Sequence, residues 1–355
     1  MICVHYNKKP IQINKYLCYN RCIEKNGDDR MKILVLGGTG SISARVIDAG
    51  IFAGHEMYAF NRGSREGNKN AVTIIGDRHS YELKRLAKLH PDVVIDMIAF
   101  DPIDAKDTID AFDSCCGQII FTSSIAAYER PYKSMPVKES AEGLLTSDAY
   151  TYGYLKAEME RYIDSRKGDM KTPITVMRPS LIFGVGGMNM GLMRQNYNIF
   201  DRIKNGRPMV MLGEGVIPWG FTFSPDIARA YIALCGNEKA FGESFHFAND
   251  TFHNIEDLYL EAGRILGIEP KLAYIPTEKL YKEDPVLFGH YYHEKKYPSL
   301  FSIEKFRCAV GDFEFEYDLS KGLLMMLEWY ESAGIGLDIQ KDEYESLLCS
   351  KYYGI

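Results

Sequence analysis

Short apolar runs and longer amphipathic stretches alternate along the first half of the chain. The apolar runs predict six strands, at Lys32–Leu36, Glu56–Phe60, Val72–Ile75, Val93–Ile98, Gln118–Thr122 and Thr175–Met177. Stretches with helical periodicity fall between most of them, at Ile42–Ala53, Ser80–Leu89, Ile103–Phe112 and Ala149–Arg166. Strands that alternate with helices of this length predict an α/β fold with a parallel sheet wound on both faces.

The first apolar run leads directly into a turn that is dense in glycine. Its sequence, Gly37-Gly-Thr39-Gly40-Ser41-Ile42-Ser43, stands between a strand and a helix, as in a dinucleotide-binding unit. Gly37 permits the tight turn, and Gly40 lets the backbone approach a pyrophosphate at the helix N-terminus. Ser43 replaces the usual third glycine and is still small. Because such turns also occur in structural loops, the motif predicts a cofactor site only together with the features below.

Composition and charge narrow the class of protein. The chain has 355 residues, 46% hydrophobic content and a formal charge of −6. No apolar run is long enough for a membrane span, and the negative charge makes a nucleic acid an unfavourable main partner. Eight scattered cysteines without a signal-peptide pattern indicate reduced thiols in the cytoplasm. Residues 1–30 lack apolar periodicity, so we expect an N-terminal extension ahead of a dinucleotide-binding domain at 31–185.

The end of the second strand bears on the choice of cofactor. NAD-preferring sites place an acidic residue there for the ribose hydroxyls, whereas this chain has Asn61 and Arg62. A guanidinium suits a ribose phosphate, so the sequence favours NADP over NAD. A solvated surface loop is the alternative interpretation.

Two further strand ends add predicted cofactor contacts. Asp77 and Arg78 follow the third strand, where a carboxylate can accept a hydrogen bond from the adenine amino group. Ile98 and Ala99 follow the fourth strand, where small and apolar residues pass under the cofactor.

Candidate catalytic residues follow the fifth strand. Thr122 and Ser124 end it with hydroxyl groups, and Tyr152 and Lys156 lie four residues apart on one face of the next helix. A phenol has a pKa near 10, and a nearby ammonium is expected to lower that pKa towards the range of a useful base. Each residue also fits a plain structural role: Tyr152 as a half-buried aromatic, Lys156 as a surface charge and Ser124 as a helix cap.

With these motifs the chain resembles an extended or atypical short-chain dehydrogenase/reductase of the NAD-dependent epimerase/dehydratase family, over roughly Met31 to Trp329. Its segment 177–184, Met-Arg-Pro-Ser-Leu-Ile-Phe-Gly, is similar to the family's RPxxxYG segment. The resemblance implies that Pro179 and Leu181 contact the nicotinamide and that Ser124, Tyr152 and Lys156 are catalytic. It also implies a Rossmann-type doubly wound sheet with a smaller C-terminal substrate-binding α/β region at 186–355, some segments of which return to the sheet.

The chain departs from the family at a position that matters for the reaction. Sugar-nucleotide 4,6-dehydratases carry an Asp-Glu pair directly after the active-site hydroxyl residue, whereas Ile125 and Ala126 follow Ser124 here. An elimination of that type is therefore disfavoured. His290 and His293 have a spacing that could chelate a metal, but no third ligand is evident, so we predict no metal site.

Two classes of function remain open. The first is an NAD(P)-dependent epimerase or oxidoreductase that acts at a carbinol carbon of a small molecule, with a nucleotide sugar or a related metabolite as the expected substrate. The second is a non-catalytic relative that binds a nucleotide cofactor and either RNA or a protein partner. The Tyr152–Lys156 pair and the acidic composition favour the enzyme. Both classes are compatible with a homodimer.

Overall fold

A computed structural model of the chain describes residues 30–186, 191–194, 197–213 and 215–354. All of the expected N-terminal extension at 1–30 except its last residue lies outside the described residues. Within the described ranges, no helix combines the length and the apolar character that crossing a membrane requires.

Thirteen strands are present among the described residues. They are β1 (Lys32–Leu36), β2 (Glu56–Asn61), β3 (Val72–Ile75), β4 (Val93–Asp96), β5 (Gln118–Thr122), β6 (Ile174–Pro179), β7 (Ile182–Phe183), β8 (Met209–Leu212), β9 (Pro218–Gly220), β10 (Thr222–Phe223), β11 (Ser244–Phe247), β12 (Phe252–Asn254) and β13 (Leu272–Ile275).

The same ranges contain twelve α-helices. They are α1 (Ser43–Phe52), α2 (Glu82–Arg85), α3 (Pro102–Phe112), α4 (Thr151–Arg166), α5 (Asn198–Lys204), α6 (Ser224–Leu234), α7 (Asp257–Leu266), α8 (Thr277–Glu283), α9 (Pro285–His290), α10 (Glu304–Val310), α11 (Leu319–Ala333) and α12 (Ile339–Tyr353). A π-helical turn at Tyr291–Lys295 continues α9.

Seven strands form one parallel sheet in the order β11-β6-β5-β4-β1-β2-β3. All strands run in the same direction, but their order along the sheet changes direction at β1. Strands β2 and β3 lie on one side of β1, and β4, β5 and β6 lie on the other. In such sheets ligands bind at the carboxyl ends of the strands beside this reversal. The predicted Rossmann-type α/β fold is confirmed.

The sheet is covered on both faces. Helices α1 and α6 pack together on one face, where Val46 and Ile227 are buried, and α3 and α4 pack on the other, where Ile109 and Met159 are buried. A third apolar core lies in the C-terminal part, among α5, α7, α11 and the paired strands β8 and β13. The sheet is thereby fixed from both sides, and its carboxyl edge faces the C-terminal part.

Some predicted boundaries are wrong. The helix expected at Ser80–Leu89 is the short α2 followed by a 3₁₀ turn at Leu86–Leu89, and the strand expected at Val93–Ile98 ends at Asp96. The sequence between Leu192 and Ile203 also predicts a helix, but Arg194 has φ +51°, outside the right-handed helical region, so α5 begins only at Asn198.

Candidate active site

A cleft of about 800 Å³ opens at the carboxyl ends of the central strands. The glycine turn and the ends of β4, β5 and β6 form one wall, and residues 281–295 form the opposite wall. Of the predicted site residues, those that line the cleft are Gly37, Gly40, Ser41, Ile42, Ile98, Thr122, Ser124, Tyr152, Lys156, Pro179 and Leu181. Motifs that lie more than 140 positions apart in the sequence therefore line one cavity.

The glycine turn has the conformation that the motif predicts. Gly37 has φ +86°, and a Cβ atom on it would lie 2.3 Å from Cγ2 of Ile98, so only glycine fits. The Ser43 hydroxyl accepts a hydrogen bond from the Gly40 N–H at 2.8 Å and donates one to the Gly37 carbonyl. Ser43 thus fastens the turn by hydrogen bonds where the fingerprint has a third glycine. Thr39 lies within the turn, and its N–H donates to the Gly37 carbonyl at 2.8 Å.

The end of β2 presents one buried amide and one exposed guanidinium. Asn61 is buried and its Oδ1 accepts from the Gly63 N–H at 2.8 Å, while its Nδ2 has no hydrogen-bond partner among the described residues. Arg62 is exposed. A buried amide that lacks an acceptor is costly, and this one lies where the adenosine ribose binds in folds of this kind. The position fits a bound dinucleotide.

The side chains after β3 do not enter the cleft. Asp77 is exposed, and its Oδ1 accepts from the His79 N–H at 2.9 Å. Arg78 is buried and forms ion pairs of 3.1 Å with both Asp96 and Asp104. Because these carboxylates hold its guanidinium beneath the end of β4, we assign Arg78 to positioning Asp96 and not to contacting the cofactor.

Ser124 and Tyr152 meet across the cleft. Ser124 follows β5, and its hydroxyl accepts a hydrogen bond from the Ala126 N–H at 3.1 Å, so it caps a short 3₁₀ turn as well. Its hydroxyl lies near enough to Tyr152 to lower the pKa of the phenol. The Tyr152 ring lines the cleft and keeps 41% of its surface exposed. The ring is therefore accessible to a ligand in the cleft.

Lys156 is held one helical turn further along α4. Its Nζ is buried and donates to the carbonyl groups of Ala99 at 2.6 Å and Thr122 at 2.8 Å. An ammonium has three N–H donors, so one remains for a ligand in the cleft. Ala99 and Thr122, both predicted as cofactor contacts, thus orient the lysine through their backbones.

The electrostatics of this pair differ from the sequence-based expectation. Burial raises the pKa of Tyr152 and outweighs the lowering by the nearby Ser124 hydroxyl. The charge of Glu294 raises this pKa further, and the charge of Arg194 lowers it. Burial lowers the pKa of Lys156 to about 8. In the protein alone the pKa of Tyr152 is raised and not lowered, and the Lys156 ammonium donates its hydrogen bonds to two carbonyl groups and not to the phenol.

A buried polar network supports the reaction centre from behind. The Ser123 hydroxyl donates to Glu160 Oε1 at 2.5 Å, and Glu160 forms an ion pair with Arg178 at 2.5 Å. Arg178 also donates to the Tyr128 hydroxyl at 2.8 Å. The network connects β5, α4 and β6, so it fixes the strand end that bears Ser124 relative to the helix that bears Tyr152.

The opposite wall contains residues that the sequence did not identify as part of the site. Glu294 and Lys295 line the cleft, as do His290 and His293. The Tyr150 hydroxyl donates to Glu294 Oε2 at 2.8 Å, and the Tyr150 ring stacks on His293. The dense aromatic and charged pattern of 281–297 and the π-helical turn, a feature frequent at functional sites, are the signals that could have indicated this wall. No cluster of three or more metal-ligating side chains occurs in the described part of the chain.

Comparisons with known proteins agree with this geometry. The chain is similar to 2'-dehydrokanamycin reductase of Streptomyces kanamyceticus, with 25% identity over 74% of each chain. It is also similar to the chloroplast stem-loop binding protein of 41 kDa b of Arabidopsis thaliana, with 25% identity over 90% of this chain and 83% of that protein.

Solved structures share the fold at lower identity. An epimerase from Methanothermobacter thermautotrophicus has a TM-score of 0.72 and 20% identity, and the similarity covers 86% of this chain and 94% of that one. UDP-glucuronic acid 4-epimerase from Bacillus cereus in complex with NAD has a TM-score of 0.69 and 18% identity, covering 85% and 99%.

The sequence itself matches the model of the NAD dependent epimerase/dehydratase family over residues 33–247. The match spans more than half of the chain and includes the glycine turn and the segments that bear Ser124, Tyr152 and Lys156. The chain therefore belongs to the NAD dependent epimerase/dehydratase family and is an enzyme of that nicotinamide-dependent class.

Proposed function

We propose that the protein transfers a hydride between a nicotinamide cofactor and a carbinol carbon, as an epimerase or as an oxidoreductase, with Tyr152 as the acid/base. The observation that carries this proposal is that Ser124, Tyr152 and Lys156 line the same cleft as the glycine turn. The buried Lys156 ammonium lies on the same helix face, within reach of a ligand in that cleft.

Each side chain has a definite task in this reaction. NAD(P), when bound, accepts or supplies the hydride. During oxidation the Tyr152 oxygen takes the proton of the substrate hydroxyl, and during reduction it returns that proton to the carbonyl oxygen. The Ser124 hydroxyl donates a hydrogen bond to the same substrate oxygen and stabilises the charge that develops there. The third N–H of Lys156 binds the ribose next to the nicotinamide.

The cofactor contacts follow from the same wall of the cleft. The N-terminus of α1, with Ser41 and Ile42 at the cleft surface, suits the pyrophosphate. Pro179 and Leu181, which line the cleft, would contact the nicotinamide of a bound cofactor. The exposed Arg62 guanidinium and the unpartnered Asn61 amide support a preference for NADP over NAD.

The substrate proposal is a nucleotide sugar or a related hydroxylated metabolite. Similar structures include a UDP-glucuronic acid 4-epimerase, and a similar sequence belongs to a reductase of 2'-dehydrokanamycin. Thiols that form no disulfide at Cys115, Cys116 and Cys349 support a reducing, cytoplasmic location.

The test measures nicotinamide reduction at 340 nm with a panel of UDP-hexoses and simple sugar alcohols, together with epimer analysis by NMR. Turnover should disappear in Tyr152→Phe and persist in Tyr154→Phe. Tyr154 is a suitable control because it lies on the same helix but packs against a small apolar cluster around Ala157. Normal turnover in Tyr152→Phe would refute the proposed role.

A second function is favoured by one observation, the similarity to a protein named for binding a chloroplast stem-loop. The net charge of −6 makes strong contact with a nucleic-acid backbone unfavourable. Gel-shift titration with a stem-loop RNA separates the two: submicromolar RNA binding with no turnover on any substrate would favour the binding protein over the enzyme.

A further inference from the structure

A second, smaller compartment opens from the cleft towards the C-terminal core. It has a volume of about 60 Å³ and shares Leu181, Arg194, His290 and Lys295 with the cleft. One water-sized sphere occupies about 10–15 Å³, so the compartment has room for roughly four to six of them. A ligand bound beside Tyr152 can therefore extend a substituent of a few carbon atoms into it.

The walls of this compartment are apolar. They are formed by Leu181, Phe183, Leu192, Phe221, Ile255 and Leu258. The two wall hydroxyl groups already have partners: Tyr259 accepts from the Leu192 N–H at 2.7 Å, and Tyr291 donates to the Gly191 carbonyl at 3.1 Å. Water finds few partners in such a space, so an apolar group binds there favourably.

One ammonium stands at the junction of the two compartments. Lys295 Nζ lies 4.6 Å from the centroid of the Trp219 ring and 3.8 Å from Glu294 Oε1. It donates no hydrogen bond to any residue that the structure describes. The Trp219 N–H donates to the Lys295 carbonyl at 3.2 Å, which fixes the backbone that carries this side chain. Lys295 therefore lines both compartments. Burial lowers the pKa of its amino group, and the charge of Glu294 raises it.

His290, which also lines both compartments, adds no charge at the junction. Burial lowers the pKa of His290 far below its ordinary value, and the positive charges of Lys295 and Arg194 lower it further, so the imidazole is neutral. An anionic oxygen at the junction therefore meets the Lys295 ammonium and the positive potential of Arg194, with Glu294 as the opposing charge.

From this juxtaposition we infer that the compartment is a substrate subsite for a compact apolar group, with a neighbouring carboxylate bound by Lys295. The inference rests on the proposed hydride transfer and narrows its substrate to hydroxy acids that bear an apolar ring or branched alkyl group. The phosphates and hydroxyls of a nucleotide sugar would lose hydration among these aliphatic and aromatic side chains, so such a ligand would have to stay in the main cleft.

The test uses probes that cannot react and the full chain saturated with its nicotinamide cofactor. Calorimetric titrations compare cyclohexanecarboxylate with cyclohexanecarboxamide, acetate and UDP-glucuronic acid. Cyclohexanecarboxylate should bind at least tenfold more tightly than the amide and than acetate. Tighter binding of UDP-glucuronic acid than of cyclohexanecarboxylate would overturn the inference.

Two matched pairs of variants locate the probe. Lys295→Met should weaken carboxylate binding about tenfold or more and leave the amide unchanged. Lys296→Met is its control, because Lys296 lies over the Tyr292 ring and pairs with Glu278. Leu258→Trp should block both cyclohexyl probes, whereas Leu260→Trp, at an exposed position of the same helix, should not. Unchanged probe affinities in Lys295→Met and Leu258→Trp would refute the subsite.

Two further measurements keep the result interpretable. If Leu258→Trp does not fold, the unmodified protein provides the test by NMR. Intermolecular NOEs from the cyclohexyl ring to the methyl groups of Leu192 and Leu258 are expected, and their absence refutes the subsite. Tyr152→Phe should keep probe binding while it loses turnover. Probe binding without hydride transfer on any substrate would refute only the proposed function, and hydride transfer without probe binding would refute only the subsite.

Discussion

Ser124, just after β5, and Tyr152, in the first turn of α4, line the same cleft, and Ser124 lowers the pKa of the Tyr152 phenol. The charge of Arg194 also lowers this pKa, but burial and the charge of Glu294 raise it, and the net result is a raised pKa. Tyr152 is therefore a phenol at neutral pH in the protein alone. It is ready to donate a proton, and it needs a cationic partner or a higher pH to accept one.

The first prediction concerns the pH dependence of substrate oxidation. The base form of Tyr152 is required, so kcat/KM should fall as pH falls through the phenol pKa of the free enzyme. Ser124→Ala removes an interaction that lowers this pKa and should move the acidic limb of the pH–rate profile to higher pH. Glu294→Gln removes a charge that raises this pKa and should move the same limb to lower pH.

The measurement is a pH–rate profile of kcat/KM for the unmodified protein and both variants, with Tyr152→Phe as the inactive control. The two shifts must have opposite signs. Shifts in the same direction would show that the phenol is not the titrating group.

The second prediction concerns stability and uses Lys156. Its folded pKa is about 8, below the ordinary value of 10.5, so the unfolded chain binds more protons between these values. Stability should therefore rise with pH across that window, by up to ~3 kcal/mol if the whole shift is expressed. Below pH 8 the cost of burying the ammonium is fully present.

Lys156→Met lacks this titration but keeps an apolar stem in the same place. Urea unfolding at pH 7, 9 and 10.5 should show the unmodified protein gaining free energy of unfolding relative to the variant as pH rises. Parallel curves for the two proteins would contradict the assigned pKa. The measurement is made without cofactor, because a bound nucleotide adds its own stabilisation.

Much of the sheet could be predicted because its strands are short apolar runs that end at glycine or polar residues. Strand β11 could not, since its four residues, Ser244–Phe247, pair only with β6 and follow it by more than sixty positions. The helix predicted from Leu192 starts later, at Asn198, because Arg194 has a positive φ angle that interrupts it. Such a break depends on tertiary contacts that periodicity does not encode.

The candidate site also contains residues that the sequence could predict and residues that it could not. Ser124, Tyr152 and Lys156 could be placed because one strand end and one helix face carry all three. Glu294 and Lys295 reach the cleft only through tertiary contacts, such as the hydrogen bond from Tyr150 to Glu294. Arg78 was expected to contact the cofactor. Instead it pairs with Asp96 at the end of β4, and the sequence alone does not show that pairing.

The third prediction concerns the ion pair between Glu160 and Arg178. Both side chains are buried, and Ser123 also donates to Glu160. Glu160→Met or Arg178→Met alone leaves a buried charge without its partner and should cost about 3–5 kcal/mol. The double variant should cost clearly less than the sum of the two single variants.

Urea unfolding of the three variants forms a double-mutant cycle. Additive losses would show that the two side chains act independently. The cycle also bears on the site, since the variants should lower turnover through the displaced Ser124 while cofactor affinity changes little.

The last prediction concerns the cofactor. The chain has Arg62 where NAD-preferring sites have an acidic residue, so NADP(H) should bind more tightly than NAD(H). Charge-assisted hydrogen bonds contribute about 1.5–3 kcal/mol, which corresponds to roughly 10- to 100-fold in affinity. Arg62→Asp should reverse the order, because it removes the phosphate partner and supplies an acceptor for the ribose hydroxyls.

Fluorescence titration with both reduced cofactors at two ionic strengths separates the contact between Arg62 and the ribose phosphate from general electrostatic attraction. The NADPH advantage should shrink at higher salt, since Arg62 is exposed and its charge is screened. Arg65→Asp changes the charge of the same loop by the same amount and should weaken both cofactors alike without reversing their order. Tighter binding of NADH than of NADPH to the unmodified protein would refute the preference, and the ribose would then have to be held by Asn61, whose Nδ2 lacks a partner among the described residues.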